Sequence, residues 1–285
     1  MFSTSSYETK ESPAGNIKKK IFWQELWRHE FEEAAKQGAV VIIPTGSVEQ
    51  HGPHSPMDVD VVGPLHIAIR AALETKEFPV IVTPPIWSGF AHYNMGFAGT
   101  LSLSMETYRN LLKDICRSVY ANGFPRILVL NGHGGNYAPN ATVKHELSQE
   151  NIFILSLSWW ELVKKEMSEL ATADGSDVGH GGEWETSVQL FLRPQLIAKD
   201  KMMADKDLTN PFSDSVQEFM SGWGAFAERR RDTANHTGTM GDPLAATPEK
   251  GKAVVEAATK KLSLLLREYH SLPVRKYTEF GSYCP

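Results

Sequence analysis

Within a dozen residues, Glu49, His51, His54, Asp58 and Asp60 place carboxylates and imidazoles directly behind the apolar run 40–44. Two later segments repeat the chemistry: Asn131-Gly132-His133-Gly134-Gly135-Asn136, and Gly179-His180-Gly181-Gly182-Glu183-Trp184-Glu185-Thr186-Ser187. Mixed nitrogen and oxygen donors without thiolates suit zinc, manganese or iron(II). Three His/acid clusters, each in a glycine-rich turn, point to a metal-dependent hydrolase. Any one of them alone also has a blander reading.

In an extended segment Glu49 and His51, two apart, face the same side, and the Gly-Pro turn lets Asp60 fold back on them. A carboxylate there can bridge two cations. The same stretch also reads as a solvated loop with Asp58 or Asp60 capping the next helix. His133 follows a buried strand in a turn whose glycines allow close backbone approach to a ligand. A phosphate cradle competes there, but no Walker lysine or full dinucleotide fingerprint accompanies it. Glu183 and Glu185 diverge by roughly 200° on a helix, so one can reach a metal while the other hydrogen-bonds behind it. Acids in a first helical turn also complement the dipole, which explains the glutamates but not His180, placed to act as an acid/base. His54 is read as a supporting group behind the ligands or an exposed residue, His92 as pocket lining, and Trp184 as a neighbour of the site.

These residues need a scaffold. Apolar runs alternate with helical patterns, which predicts βα units and a three-layer α/β/α fold around a mainly parallel sheet. Strands are predicted over 39–44, 79–83, 126–130 and 152–157, with a further short one over 100–104. Helices are predicted over 22–37, 62–74, 105–122, 137–149, 159–171, 182–192 and 247–270, the last with Thr247 as N-cap and Pro248 at N1. The pattern is lost over 197–242, apart from partial helix over 215–228. All three clusters follow a strand or open a helix. In an open parallel sheet the crevice beyond the carboxyl ends of the strands binds ligands, so the clusters are expected to converge.

The 285 residues, 41% hydrophobic and 22% charged with net charge −5, suit one globular domain over 21–285 behind a flexible tail, 1–20. Short basic runs at 18–20 and 229–231 read as solvated faces, so no nucleic-acid partner is expected. Cys116 and Cys284 fit no metal or redox spacing. The first residues lack the basic and apolar regions of a signal peptide, and no apolar run could span a bilayer. The expectation is a cytoplasmic protein with no membrane association.

The chain resembles the creatininase (creatinine amidohydrolase) superfamily in Gly46-Ser47-Val48-Glu49-Gln50-His51-Gly52-Pro53-His54, Phe97-Ala98-Gly99-Thr100, the Asn131–Asn136 turn, His180 to Ser187 and Gly241-Asp242-Pro243. The resemblance implies a three-layer α/β fold, two divalent ions per subunit and a homohexamer. It also implies that Glu49, His51, Asp60 and His133 are metal ligands, with Asp60 bridging, and that His180 is the catalytic histidine. Creatinine-cleaving members carry a further ligand glutamate where this chain has Gly135. Glu183 stands where they have an apolar residue, so it is expected to supply the missing carboxylate. Their tryptophan four residues before the catalytic histidine is Ser176 here. The implied activity is attack by metal-bound hydroxide on the carbonyl of a small cyclic amide. The alternatives are hydrolysis of a carbon–carbon bond in a cyclic 1,3-diketone derived from inositol-type sugars, as by a 3-dehydro-scyllosone hydrolase, or a non-catalytic metal-binding module.

Overall fold

The computed structural model describes residues 20–173, 179–205 and 236–274. The expected tail, the helix over 215–228, Ser176 and Cys284 lie outside these residues, apart from Lys20. Four strands, β1 (Val40–Thr45), β2 (Val80–Val82), β3 (Arg126–Asn131) and β4 (Ile154–Ser158), form a sheet in the order β2-β1-β3-β4, every pair parallel. β1 is buried along its whole length, as continuous apolar runs of β-branched residues require when both faces are covered.

Strand alternation divides the core in two. Val40, Ile42, Val80, Val82, Leu128 and Leu130 pack under α2 (Val59–Glu74), α6 (Glu183–Leu192) and α7 (Pro248–Ser271). Val41, Ile43, Ile81, Ile127, Val129 and Ile154 pack under α1 (Arg28–Lys36), α3 (Met105–Ala121) and α4 (Tyr137–Ser148). This is the expected three-layer arrangement, with helices on both faces of a parallel sheet.

Some elements depart from expectation for local reasons. The helix expected over 22–37 is a 3-10 turn, Trp23–Glu25, then an extended Leu26-Trp27, then α1. Glu30 accepts from the Trp27 backbone N–H at 2.7 Å and so restarts the helix. The helix expected over 159–171 likewise splits into a 3-10 turn, Trp159–Leu162, and α5 (Lys164–Leu170). No strand forms over 100–104: Leu101 makes one antiparallel bridge to Val48, and Ser104 caps α3 by accepting from Thr107 N at 3.1 Å. At the other end of the chain Thr247 caps α7 by accepting from Lys250 N at 3.2 Å. Among the described residues, no helix is long and apolar enough to cross a membrane.

One buried helical residue gives the fold a pH dependence. His66 of α2 is buried, which, with Arg70 nearby, lowers its pKa to about 4 from an ordinary 6.5. The unfolded chain then binds the proton more readily between those values, so stability falls as pH drops from about 6.5 to about 4. Chemical denaturation of His66→Gln should show this loss reduced by up to roughly 3 kcal/mol. An unchanged slope would mean that His66 carries none of it.

Candidate metal centre

The ends of β1 and β3 are neighbours in register, Thr45 opposite Asn131. Asn131 ties the loops beyond them: its Oδ1 accepts from Thr45 Oγ1 (3.1 Å) and His133 N (3.2 Å), and its Nδ2 donates to the His133 carbonyl (2.7 Å). Helix α2 starts at Val59, three residues before expectation, and so carries Asp60 in its first turn. Pro64 in this helix has no N–H to offer the Asp60 carbonyl four residues back. The end of β3 packs against that carbonyl instead. A Cβ on Gly132 would lie 2.1 Å from the Asp60 oxygen, so only glycine allows this approach. Asp60 is thereby held between the ends of β1 and β3.

Around it converge Glu49, His51, His133, His180 and Glu185, each at most 8% exposed. Backbone carbonyls orient two of the rings. His51 Nδ1–H donates to the Glu49 carbonyl at 3.1 Å, which leaves the lone pair on Nε2, 3.0 Å from Asp60 Oδ1 and 3.5 Å from Glu185 Oε2. His133 Nε2–H donates to the Phe90 carbonyl at 2.9 Å, which leaves the lone pair on Nδ1, 2.8 Å from Asp60 Oδ2 and 3.2 Å from Glu49 Oε1. With neutral imidazoles, the form that binds metal, acceptors thus face acceptors across both oxygens of Asp60. Both oxygens of Glu49 and Asp60 Oδ2 are buried without a hydrogen-bond partner. Such a donor set calls for cations. Two groups, Glu49-Asp60-His133 and His51-Asp60-Glu185, each bring their ligand atoms within 4.8 Å of one another, and they share Asp60.

The electrostatics agree. Burial favours neutral His51, but the carboxylates of Asp60, Glu185 and Glu49 outweigh it and raise its pKa to about 9. For His133, burial is again overcome, chiefly by Glu49, and its pKa lies well above the ordinary value. Burial pushes Glu185 up to about 7, partly opposed by His51. Asp60 is held below the usual carboxylate range by His51 and His133, despite burial. The cluster is short of positive charge and collects it on its imidazoles.

Glu183, expected at this cluster, lies outside it. Its carboxylate pairs with Lys250 Nζ and accepts from Thr172 N (3.1 Å), Thr172 Oγ1 (3.2 Å) and Ala173 N (3.3 Å). The two glutamates point apart as their spacing requires, but it is Glu185 that turns to His51 and Asp60, while Glu183 joins α6 to the end of α5 and to α7. Gly135 cannot hold a carboxylate either, because a Cβ there would lie 2.1 Å from the Phe90 carbonyl and 2.7 Å from Tyr93 Oη.

His180 stacks on His51 with ring centroids 4.2 Å apart. Its Nε2 lies 2.6 Å from the Gln50 backbone carbonyl, which can only accept, so the ring donates there; the Gln50 side-chain amide nitrogen lies 3.1 Å from the same Nε2 and donates to Gly238 O at 2.9 Å. The lone pair therefore sits on Nδ1, 3.6 Å from Glu49 Oε1. Behind the cluster, His54 Nε2 lies 2.9 Å from Thr186 Oγ1. Trp184 is wholly buried in the core, and His92 is exposed. The neighbour of His92, Tyr93, lines the site instead, its hydroxyl 3.3 Å from His133 Nε2. Nothing in the local sequence marks Tyr93, which stands beside the chemically more conspicuous His92. A cavity of about 450 Å³ opens over Glu49, Asp60, His133, His180 and Glu185, walled by Tyr93, Trp160, Glu161 and Lys164 among others.

A parallel sheet with such a cluster at the carboxyl ends of its central strands defines a hydrolase-type site with residues able to hold metal. The family model for creatininase, creatinine amidohydrolase, matches residues 24–266. The chain belongs to this family of enzymes. It is 28% identical over 269 residues to a creatinine amidohydrolase of Pseudomonas putida, covering 88% of this chain and 98% of that one. It is 26% identical over 275 residues to a 3-dehydro-scyllo-inosose hydrolase of Thermotoga maritima, covering 90% and 85%. Solved creatininases of Zn–Zn and Mn types superpose with TM-score 0.73 at 26% identity, over 89% of this chain and 100% of theirs.

Proposed function

We propose that this chain is an amidohydrolase that holds two divalent ions, one by Glu49, Asp60 and His133 and the other by His51, Asp60 and Glu185. The observation that carries the reading is the Asp60 carboxylate, one oxygen 3.0 Å from His51 Nε2 and the other 2.8 Å from His133 Nδ1. Divalent ions at such a site lower the pKa of water and polarise a carbonyl. The substrate in this reading is a small cyclic amide, bound in the cavity with its carbonyl toward Asp60. His180 Nδ1, with its lone pair facing Glu49, takes the proton of the attacking water and returns it to the departing nitrogen. Fixing Nε2 on the Gln50 carbonyl keeps that nitrogen out of the exchange. The same reading takes the enzyme as a cytoplasmic homohexamer, on family resemblance.

The similarity to the inosose hydrolase, as extensive as that to the creatinine amidohydrolase, favours one second reading: cleavage of a carbon–carbon bond in a cyclic 1,3-diketone. The two differ in the leaving atom. Zinc- or manganese-loaded protein assayed on creatinine, formamides and cyclic 1,3-diketones should hydrolyse an amide, lose the activity on chelation and regain it with metal. Turnover of diketones alone would transfer the assignment to the second reading. Loaded protein that hydrolyses no carbonyl substrate would leave a metal-binding module.

A further inference from the structure

A second cavity, of about 300 Å³, adjoins the metal centre at the carboxyl ends of β3 and β4. It is lined by Tyr137, Asn140, Lys144, Ser156, Ser158 and Glu161 among others, and Glu161 also walls the cavity over the metal ligands. The lining is rich in donors. Asn140 is 3% exposed; its Oδ1 accepts from the Tyr108 hydroxyl at 2.8 Å, and its Nδ2 has no partner. A buried amide donor without a partner is costly, and a bound acceptor would remove that cost. Lys144 adds a cation, and the serine and tyrosine hydroxyls rotate to donate. At the junction the Glu161 carboxylate is paired with Lys164 Nζ at 2.8 Å.

We propose that this second cavity is a substrate subsite for an anionic group, a carboxylate or a phosphate, at the end of the substrate remote from the carbonyl attacked. The proposal rests on the metal-dependent reading above and narrows its substrate: a molecule extending past Glu161 rather than an uncharged single ring. The distal anion accepts from Asn140 Nδ2 and pairs with Lys144, while the reacting carbonyl stays at Asp60.

Hydroxamates, which bind metal ions, separate the two claims. Zinc-loaded full-length protein is titrated calorimetrically with acetohydroxamate and with longer hydroxamates of three to six methylenes that end in methyl, carboxylate or phosphonate. At one length the charged compound should bind about tenfold tighter than its methyl counterpart, as a charge-assisted contact predicts. The tighter of carboxylate and phosphonate identifies the natural group. The gain should vanish in Lys144→Glu and in Asn140→Asp, which keeps the acceptor for Tyr108 but replaces the donor; the methyl series should be unchanged in both. Equal binding of methyl and charged compounds at every length would overturn the subsite with the metal reading intact, as would a gain that survives both substitutions. Failure of acetohydroxamate itself to bind would remove the metal reading and this proposal with it.

Discussion

On the two-ion reading proposed above, Glu185→Gln is expected to release one metal ion and, with it, hydrolytic activity. Substitution of groups merely behind the ligands commonly costs 10- to 100-fold in metal affinity, so loss of a ligand should cost at least about a hundredfold. The amide keeps the shape of the side chain and removes the charge. Glu185 is the natural place to test the site, since Asp60 belongs to both groups of ligand atoms and its loss would not separate them. Metal analysis after dialysis against a weak chelator should find one ion where the wild-type chain keeps two.

Glu183→Gln is the matched control, two residues away on the same helix. Its partner Lys250 also donates to the Ala245 carbonyl at 2.9 Å, and the pair lies between α6, α7 and the chain after α5. Removing one member of a buried ion pair leaves the other charge uncompensated, at roughly 3 kcal/mol. For a chain of this size that lowers the thermal midpoint by roughly 6 to 12 °C. The metal content should stay at two. The opposite pattern, with metal lost from the Glu183 variant and kept by the Glu185 variant, would return the ligand role to Glu183 and refute the centre described here.

That contrast marks how far the sequence is legible. The strands at 126–131 and 40–45 stand out because parallel strands covered on both faces become unbroken β-branched runs. Glu49, His51, Asp60 and His133 stand out because their loops follow those strands directly. Helical spacing tells that Glu183 and Glu185 must part, but not which faces the sheet edge. That is decided by Lys250 and by the backbone of Thr172 and Ala173, groups with no local signature. The missing carboxylate at Gly135 does not by itself distinguish Glu183 from Glu185 as its replacement. Tyr93 likewise has no local signature: its value lies in the approach of its hydroxyl to His133, forty residues along the chain. The 3-10 turns in place of expected helix reflect one-residue competitions, such as Glu30 with the Trp27 backbone, that periodicity averages away.

His180 offers the last separation, between holding metal and moving protons. His180→Ala is expected to retain two ions and lose roughly 10²- to 10⁴-fold in kcat, the range typical of a positioned general acid or base. The ring is anchored through Nε2 on the Gln50 carbonyl, while its backbone bridges Met240 in both directions at 2.9 and 2.7 Å. Truncating the side chain therefore leaves the path of the chain in place. It also leaves a space beside His51, against which the ring stacks, and added imidazole should enter it and restore part of the rate. The geometry holds one rival: Glu49, His51 and His180 also bring their ligand atoms within 4.8 Å of one another. Were His180 a ligand, its alanine variant would lose metal along with the rate, and imidazole would have to restore both. Metal analysis alongside single-turnover rates, with and without imidazole, decides between the roles, because a proton carrier changes only the second measurement.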